Sequence, residues 1–422
     1  MAATPSRLSQ FDSASGERLQ GGPRVAEGGR LVFYSSTQSS NLDLKIGVVT
    51  AADGKVKVFP ELPVARVLGL VDGLLVYVGV GGELLAAPFD TRRLEAGAPR
   101  QLLDGIVALT YFSPAALSAS GSLLYQRGGL ASRVVRVDLQ GNERVLLDSV
   151  RSYVHPRLSP DGRRLALEVV GRARSEIWIA DLAQGTFERL TREGFSDRPE
   201  WSPDGSRVLY TSTRTKVNSL WWQPVDGSSP PELVYRTSDG VREGVFTPDG
   251  RSIILRQDTP DSNRDIYRLP LDGERDPVPI LSSVDDDKHP RVSPDGKLLA
   301  YTSNESGRED VYVRALTGRT ARVRVSTGGA GEPLWSPDGK RLFYRAGPAL
   351  MVATIRSSPA LAVLARDTLF EGPYPTDPWH PNYDVAPDGR SFIMLRPVEE
   401  LRRLIMVVNW VEELRRNPHS GG

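Results

Sequence analysis

Three of the four histidines in this 422-residue chain share one feature, which is that each directly precedes a proline. They are His155, His289 and His380, and Arg198 and Glu332 precede proline at comparable positions. Neutral imidazole is a good ligand for zinc, manganese or copper, so three converging histidines could bind a metal or an anionic ligand. The alternative interpretation is structural, with X-Pro marking the start of a strand and histidine as one tolerated polar residue there.

No enzyme motif accompanies these histidines. The chain lacks a G-x-S-x-G elbow, an H-E-x-x-H helix, and Walker, Rossmann and protein-kinase motifs. It has no cysteine, which excludes disulfides, thiolate nucleophiles and cysteine metal sites. We therefore expect no cofactor and favour a binding protein. A metal-dependent lyase or hydrolase using His155, His289 and His380 is the alternative.

The elements that must position these residues form an internal repeat. A Ser-Pro-Asp-Gly-like turn recurs along the chain, followed each time by an apolar or alternating run. Clear copies end at Gly162, Gly205, Gly250, Gly296, Gly339 and Gly389, and weaker copies end at Gly29, Gly73 and Gly121. Proline presets the turn, and glycine supplies its left-handed residue. Each repeat of roughly 45 residues contains four short strands, which predicts an all-β propeller of four-stranded antiparallel blades.

Two ways of closing the ring are compatible with nine repeats. We favour one ring of eight or nine blades over residues 24–412. In that ring, residues 1–23 would supply closing strands and residues 413–422 would form a polar tail. The alternative is a seven-bladed ring over about residues 107–412, preceded by two blade-like repeats. No linker-like stretch separates the two parts, which favours the single ring.

The repeat "VSPDG" followed by "SNESGREDVYV" resembles the repeats of TolB-like β-propellers, and the resemblance covers essentially the whole chain. The C-terminal "YDVAPDGRSFIMLRP" and "LIMVVNWVEELRR" resemble the propeller sensor region of bacterial membrane-anchored serine/threonine kinases. The second resemblance implies a sensor in an extracytoplasmic setting. The kinase lobe and membrane helix of that family have no counterpart here, so we expect the chain to be at most the sensor part, or a free-standing relative of it.

Closure of the ring would gather the residues that begin each first strand at one end of the channel, which we call the start face. These candidate ligand-binding residues are His155, Arg198, Arg242, His289, Glu332 and His380. A concave polar rim is the default binding site on such a scaffold. Trp379, in a loop with three prolines, is a further contact candidate. We predict that replacing His289 and His380 with alanine weakens ligand binding and leaves the fold intact.

The partner is expected to be a protein, a peptide or a small ligand, and the chain is expected to be a monomer. A net charge of +1, from 53 basic and 52 acidic residues, argues against nucleic acid or an anionic membrane held by bulk charge. The N-terminal "MAATPSRLSQFDSASG" lacks the layout of a signal peptide, and no apolar run reaches the roughly 18 residues of a spanning helix.

Overall fold

The computed structural model describes residues 19–37, 44–64, 66–79, 82–107, 114–118, 120–127, 131–171, 174–215, 217–259, 263–318, 322–398 and 403–412. Two compact units divide the chain. One is Ala131–Pro397, and the other combines Met1–Leu130 with Val398–Gly422. Among the described residues, helix is limited to a 3-10 turn at Glu27–Gly29 and a turn at 410–412, and neither could cross a membrane.

The unit Ala131–Pro397 consists of six antiparallel blades, numbered 1 to 6. The first strand of each blade lies nearest the axis. Blade 1 contains Glu143–Leu158, Arg164–Val170, Ser175–Asp181 and Phe187–Arg189; blade 2 contains Ser196–Trp201, Arg207–Ser212, Ser219–Pro224 and Glu232–Tyr235; blade 3 contains Val241–Phe246, Ser252–Thr259, Asn263–Pro270 and Val278–Leu281. Blade 4 contains Asp287–Val292, Leu298–Ser303, Asp310–Ala315 and Val323–Arg324; blade 5 contains Gly331–Trp335, Arg341–Ala346, Ala349–Arg356 and Ala362–Glu371; blade 6 contains Asp384–Val385, Ser391–Pro397, Ala131–Asp138 and Glu143–Leu158.

The ring closes by pairing the two ends of this unit. Ala131–Asp138 lies antiparallel to Ser391–Pro397, with Ser132 opposite Pro397. The long strand Glu143–Leu158 serves two blades, because residues 143–152 pair within blade 6 and residues 153–158 pair within blade 1. The first strands contact one another in sequence from blade 1 to blade 6 and back to blade 1.

This closure confirms the propeller of four-stranded blades and corrects its predicted size. The rings of eight or nine blades and of seven blades are both wrong, because the ring has six. The repeat whose turn ends at Gly121 is divided between the two units. Its strand Ala131–Asp138 completes blade 6, so a repeat in the sequence is not the same as a blade in the fold.

The Ser-Pro-Asp-Gly turns have the predicted geometry. Gly296 has a φ of 73°, and its N–H donates to the Ser293 carbonyl at 2.8 Å. The Ser293 hydroxyl donates to Asp295 at 2.6 Å and accepts the Leu298 N–H at 2.9 Å. These turns lie at the opposite end of the first strands from the start face, and we call that end the turn face.

The described residues of the other unit form three sheets, which we call A, B and C. Sheet A contains Leu19–Ala26, Leu31–Thr37, Leu44–Thr50 and Val56–Pro63; sheet B contains Arg66–Val71, Leu74–Val78, Leu84–Asp90, Glu95–Ala96 and Arg100–Leu103; sheet C contains Ala115–Leu117, Leu123–Arg127 and Arg403–Val407. Sheet B packs against A through one apolar cluster and against C through another. Of the predicted closing segment 1–23, residues 1–18 lie outside the described residues, and residues 19–23 belong to Leu19–Ala26, which pairs with Leu31–Thr37. The predicted tail 413–422 also lies outside the described residues.

Candidate functional site

The X-Pro pairs form β-bulges at the start of four first strands. In blade 1, Val154 pairs with Glu168 and Arg157 pairs with Ala166. His155 and Pro156 therefore lie opposite the single residue Leu167. The residue before proline is left-handed in each case, with φ values of 52–56° at His155, Arg198, His289 and Glu332. Proline cannot donate to a sheet ladder, so a bulge accommodates it, and the bulge re-aims the preceding side chain. The structural interpretation of X-Pro therefore accounts for the positions of these residues.

The equivalent positions in blades 3 and 6 differ from those predicted. Glu243 and Asn382 lie five residues before the turn proline, as His155 does in blade 1. The Asn382 side chain accepts the His155 N–H at 2.9 Å. Arg242 lies one residue earlier than this position and bonds Asp258 at 2.8 Å. Counting back from each proline would have identified Glu243 and Asn382 from the sequence.

Residues 372–383 connect blade 5 to blade 6 and fill the start face, and we call them the axial segment. Side chains from each of blades 1 to 5 contact it. The contacts are His380 with Glu200 and Glu243, Trp379 with Arg256 and Lys288, Asp377 with His155 and Glu332, and Tyr374 with Arg345. The start face is therefore closed by the chain itself rather than being an open polar rim.

His380 lies at the centre of a buried charge network. Its Nδ1 donates to Glu243 at 2.8 Å, and its Nε2 lies 3.3 Å from Glu200. Arg157 and Arg291 each contact Glu200 at 2.8 Å. Burial and then the charge of Arg157 lower the pKa of His380 well below its usual range. Burial opposes ionisation of Glu243, but its neighbours His380 and Arg291 outweigh burial and lower its pKa to about 2.

His155 carries a charge in the same interior. Its Nδ1 donates to Glu168 at 2.7 Å, and its Nε2 lies 3.7 Å from Asp377. Burial alone would lower the pKa of His155, but Glu168 and Asp377 raise it to about 9. The rings of His155 and His380 are edge to face, with centroids 4.9 Å apart.

His289 and Glu332 complete the interior and both lie away from solvent. The His289 Nδ1 is 3.1 Å from the Thr302 hydroxyl, and burial followed by the Lys288 charge lowers its pKa well below the usual range. Burial raises the pKa of Glu332 to about 7, although Arg345 opposes the increase.

The predicted candidates therefore converge, but they are mostly internal. His155, His289, Glu332 and His380 are each at most 5% exposed, and Arg198 is largely covered. A ligand cannot touch the four while the axial segment is in place. Within the described part of the chain, no group of three or more histidine and carboxylate side chains could hold a metal ion. His155, His289 and His380, the three residues of the alternative metal prediction, do not form such a group.

Trp379 is partly exposed, as are Arg198 and Arg242, and it is the aromatic residue among these candidates. Its indole lies 4.6 Å from Arg264 and 5.2 Å from Lys288, as measured from each charged group to the ring centroid. Its carbonyl accepts Arg256 Nη1 at 3.1 Å, and its N–H donates to Asp377 at 2.8 Å. Trp379 is partly exposed and lies beside the exposed Pro378, on a backbone held by these hydrogen bonds.

A cavity of about 460 Å³ lies at the turn face. The prolines of three turns and Trp201 line it, together with the carboxylates of Glu200 and Asp384. Burial raises the pKa of Asp384 to about 6. The Trp201 indole also donates to the Arg157 carbonyl at 2.8 Å, which ties blade 2 to blade 1.

Comparison with known proteins identifies the family of this propeller. The TolB beta propeller domain family matches residues 125–338, which are 214 of the 422 residues. An uncharacterized protein of Agrobacterium fabrum is 29% identical over 204 residues, covering 44% of this chain and 67% of that protein. The Tol-Pal system protein TolB of Anaeromyxobacter dehalogenans 2CP-C is 28% identical over 173 residues, covering 40% of this chain.

The match with that TolB protein spans only 39% of its length. A solved structure assigned as TolB of Agrobacterium tumefaciens has a TM-score of 0.51 and 19% identity. It covers 63% of this chain and 98% of that one, which shows a common fold. The resemblance to TolB-like propellers is confirmed, and the chain belongs to the TolB β-propeller domain family.

Proposed function

We propose that this chain is a non-catalytic binding module that recognises a protein or peptide on the start face, with Trp379 as the central contact. The observation that carries the proposal is the axial segment. It is anchored to the other blades by buried polar contacts, and it leaves Thr376, Pro378 and part of Trp379 at the surface. Aromatic side chains held on a rigid frame are the usual energetic centres of protein interfaces.

The chemistry of the interior supports binding rather than catalysis. A catalytic histidine needs a free nitrogen near substrate and a pKa near the working pH. The pKa of His155 is about 9, and those of His289 and His380 are well below the usual range. All three are also covered by protein, and His155 and His380 hold the axial segment through Asp377 and Glu243.

Two resemblances suggest the class of partner and the setting. The TolB relatives are proteins of the Tol-Pal system by name, so a Pal protein is the first partner to test. The C-terminal likeness to kinase sensor regions supports a sensor role and an extracytoplasmic location. Both assignments are part of this proposal.

Site-specific photo-crosslinking tests the proposal in cells. A photoreactive phenylalanine replaces Trp379 in one variant and Trp178 in a matched control. Trp178 is also partly buried and lies 4.9 Å from an arginine, but it is on the third strand of blade 1. We expect a discrete protein adduct at position 379 and none at position 178. Equal labelling at both positions, or labelling at 178 alone, would refute the start face as the binding surface.

A purified Pal protein provides the second arm of the test. Trp379→Ala should weaken a genuine complex by about tenfold or more, as expected for an interface hot spot. Trp178→Ala should leave the affinity within about twofold of the parent. A crosslinked partner other than Pal would preserve the binding face and exclude the Tol-Pal assignment.

A further inference from the structure

Among the residues that the structure describes, sheet C has three strands, one fewer than the four-stranded blades. Its order is Ala115–Leu117, Leu123–Arg127 and Arg403–Val407, so Arg403–Val407 is an edge strand. On one side it pairs with Leu123–Arg127, with Ile405 opposite Tyr125. On its other side, no residue in the described ranges pairs with it. The edge strand therefore presents backbone donors and acceptors that a further strand could use.

The two faces of this edge strand are both apolar, although only one of them is buried. Ile405 and Val407 pack into the cluster that joins sheets B and C. Leu404 and Met406 point the other way and are 69% and 64% exposed. Leu124, opposite Met406 in the sheet, lies on the same exposed face.

Natural proteins protect sheet edges with lysine, proline, bulges or inward-pointing charges. The edge strand Arg403–Val407 has a regular ladder and no proline, and its one charged residue is Arg403 at its start. An unprotected apolar edge of this kind marks an interaction surface.

We propose that Arg403–Val407 pairs antiparallel with the same strand of a second copy of this chain, forming a two-fold symmetric dimer. Pairing centred on Ile405 places Leu404 opposite Met406 of the second copy, and Arg403 opposite Val407. The exposed apolar side chains of both copies then lie side by side on one face. The two arginines lie at opposite ends of the ladder, so no like charges meet.

A second copy fits this edge because the strand is its own complement. An isologous interface requires that one surface match itself, and a short apolar strand with a single terminal charge does so in the antiparallel direction. Separate chains carrying charged strands would place a charge against Leu404 or Met406, at a cost in desolvation. The proposal is independent of the start face, since it uses a different unit of the chain.

Sedimentation equilibrium of the full chain from about 1 to about 200 µM tests the dimer. The parent should change from monomer to dimer over this range. Leu404→Lys combined with Met406→Lys should raise the dimer dissociation constant at least about tenfold, because two charges would enter the apolar face. Val25→Lys is the matched control, because Val25 is an exposed valine, at 71%, on sheet A. It should leave the constant unchanged.

Single-cysteine variants test the register, since the chain has no other thiol. A mixture of Leu404→Cys and Met406→Cys should form an intermolecular disulfide faster than either variant alone, because directly opposed residues lie at disulfide distance. A parent that stays monomeric throughout, a dimer unaffected by the lysine pair, or equal loss in the Val25→Lys control would each overturn the proposal.

Discussion

Glu332→Gln should remove a pH-dependent loss of stability from the propeller unit. The Glu332 carboxylate is 2% exposed and accepts the backbone N–H groups of Asp377 and Asn382. Burial is the main cause that raises its pKa from 4.5 to about 7, and the nearby Asp377 charge adds to it. The folded chain then keeps a proton that the unfolded chain releases. The free energy of unfolding therefore falls as pH rises from 4.5 to about 7.

The size of the effect follows from the same two pKa values. A change from 4.5 to about 7 corresponds to about 3 kcal/mol between pH 4 and pH 8. Glutamine has a similar shape and no charge, so the variant should lack this loss. Relative to the parent, the variant should gain about 3 kcal/mol as pH rises through this window.

Urea unfolding followed by tryptophan fluorescence measures the difference, because six of the seven tryptophans lie in Ala131–Pro397. Parent and variant are compared at several pH values between 4 and 8. Glu188→Gln, at an exposed position of blade 1, is the matched control for exchanging glutamate for glutamine. If the free energies of unfolding of the parent and Glu332→Gln differ by the same amount at every pH, the folded chain does not hold the extra proton at Glu332.

Four further variants test the turns and the interior. Gly296→Ala should lower the free energy of unfolding in urea by about 1–2 kcal/mol, because alanine is strained at a positive φ. Gly389→Ala should lower it further, because the new Cβ would lie 3.1 Å from a proline of the preceding blade. Equal costs would exclude that contact. Glu243→Ala should cost about 3–5 kcal/mol by leaving buried arginines uncompensated, and a cost under about 1 kcal/mol would show that the network is not structural. His289→Ala combined with His380→Ala should lower the melting temperature by several degrees, because both side chains are fully buried. An unchanged melting temperature would support the prediction from the sequence that this double variant leaves the fold intact.

The blades could be predicted from the sequence because their signals are local. Turn proline, aspartate and glycine fix a hairpin, and the alternating runs that follow fix strands. The blade number could not be predicted, because it depends on the pairing of Ala131–Asp138 with Ser391–Pro397, which are far apart in the chain. Each strand satisfies its own pattern equally well in a ring of six, seven or nine.

Convergence of the candidate residues was predictable from the repeat, but their burial was not. The position of His155 follows from its fixed spacing to a turn. The fold of the axial segment depends on contacts such as that of His380 with Glu243, which joins the segment to blade 3. The position of Trp379 in a proline-rich loop could be recognised from the sequence. Its partial exposure depends on the same long-range contacts of the axial segment.

Isothermal titration calorimetry with the partner crosslinked at position 379 tests the start-face assignment most directly. Parent, Trp379→Ala and Trp178→Ala are titrated under one set of conditions, with melting curves to confirm that all three are folded. Binding at the start face predicts that only Trp379→Ala loses affinity, by about tenfold or more. Equal affinity of Trp379→Ala and the parent would contradict the proposed binding face.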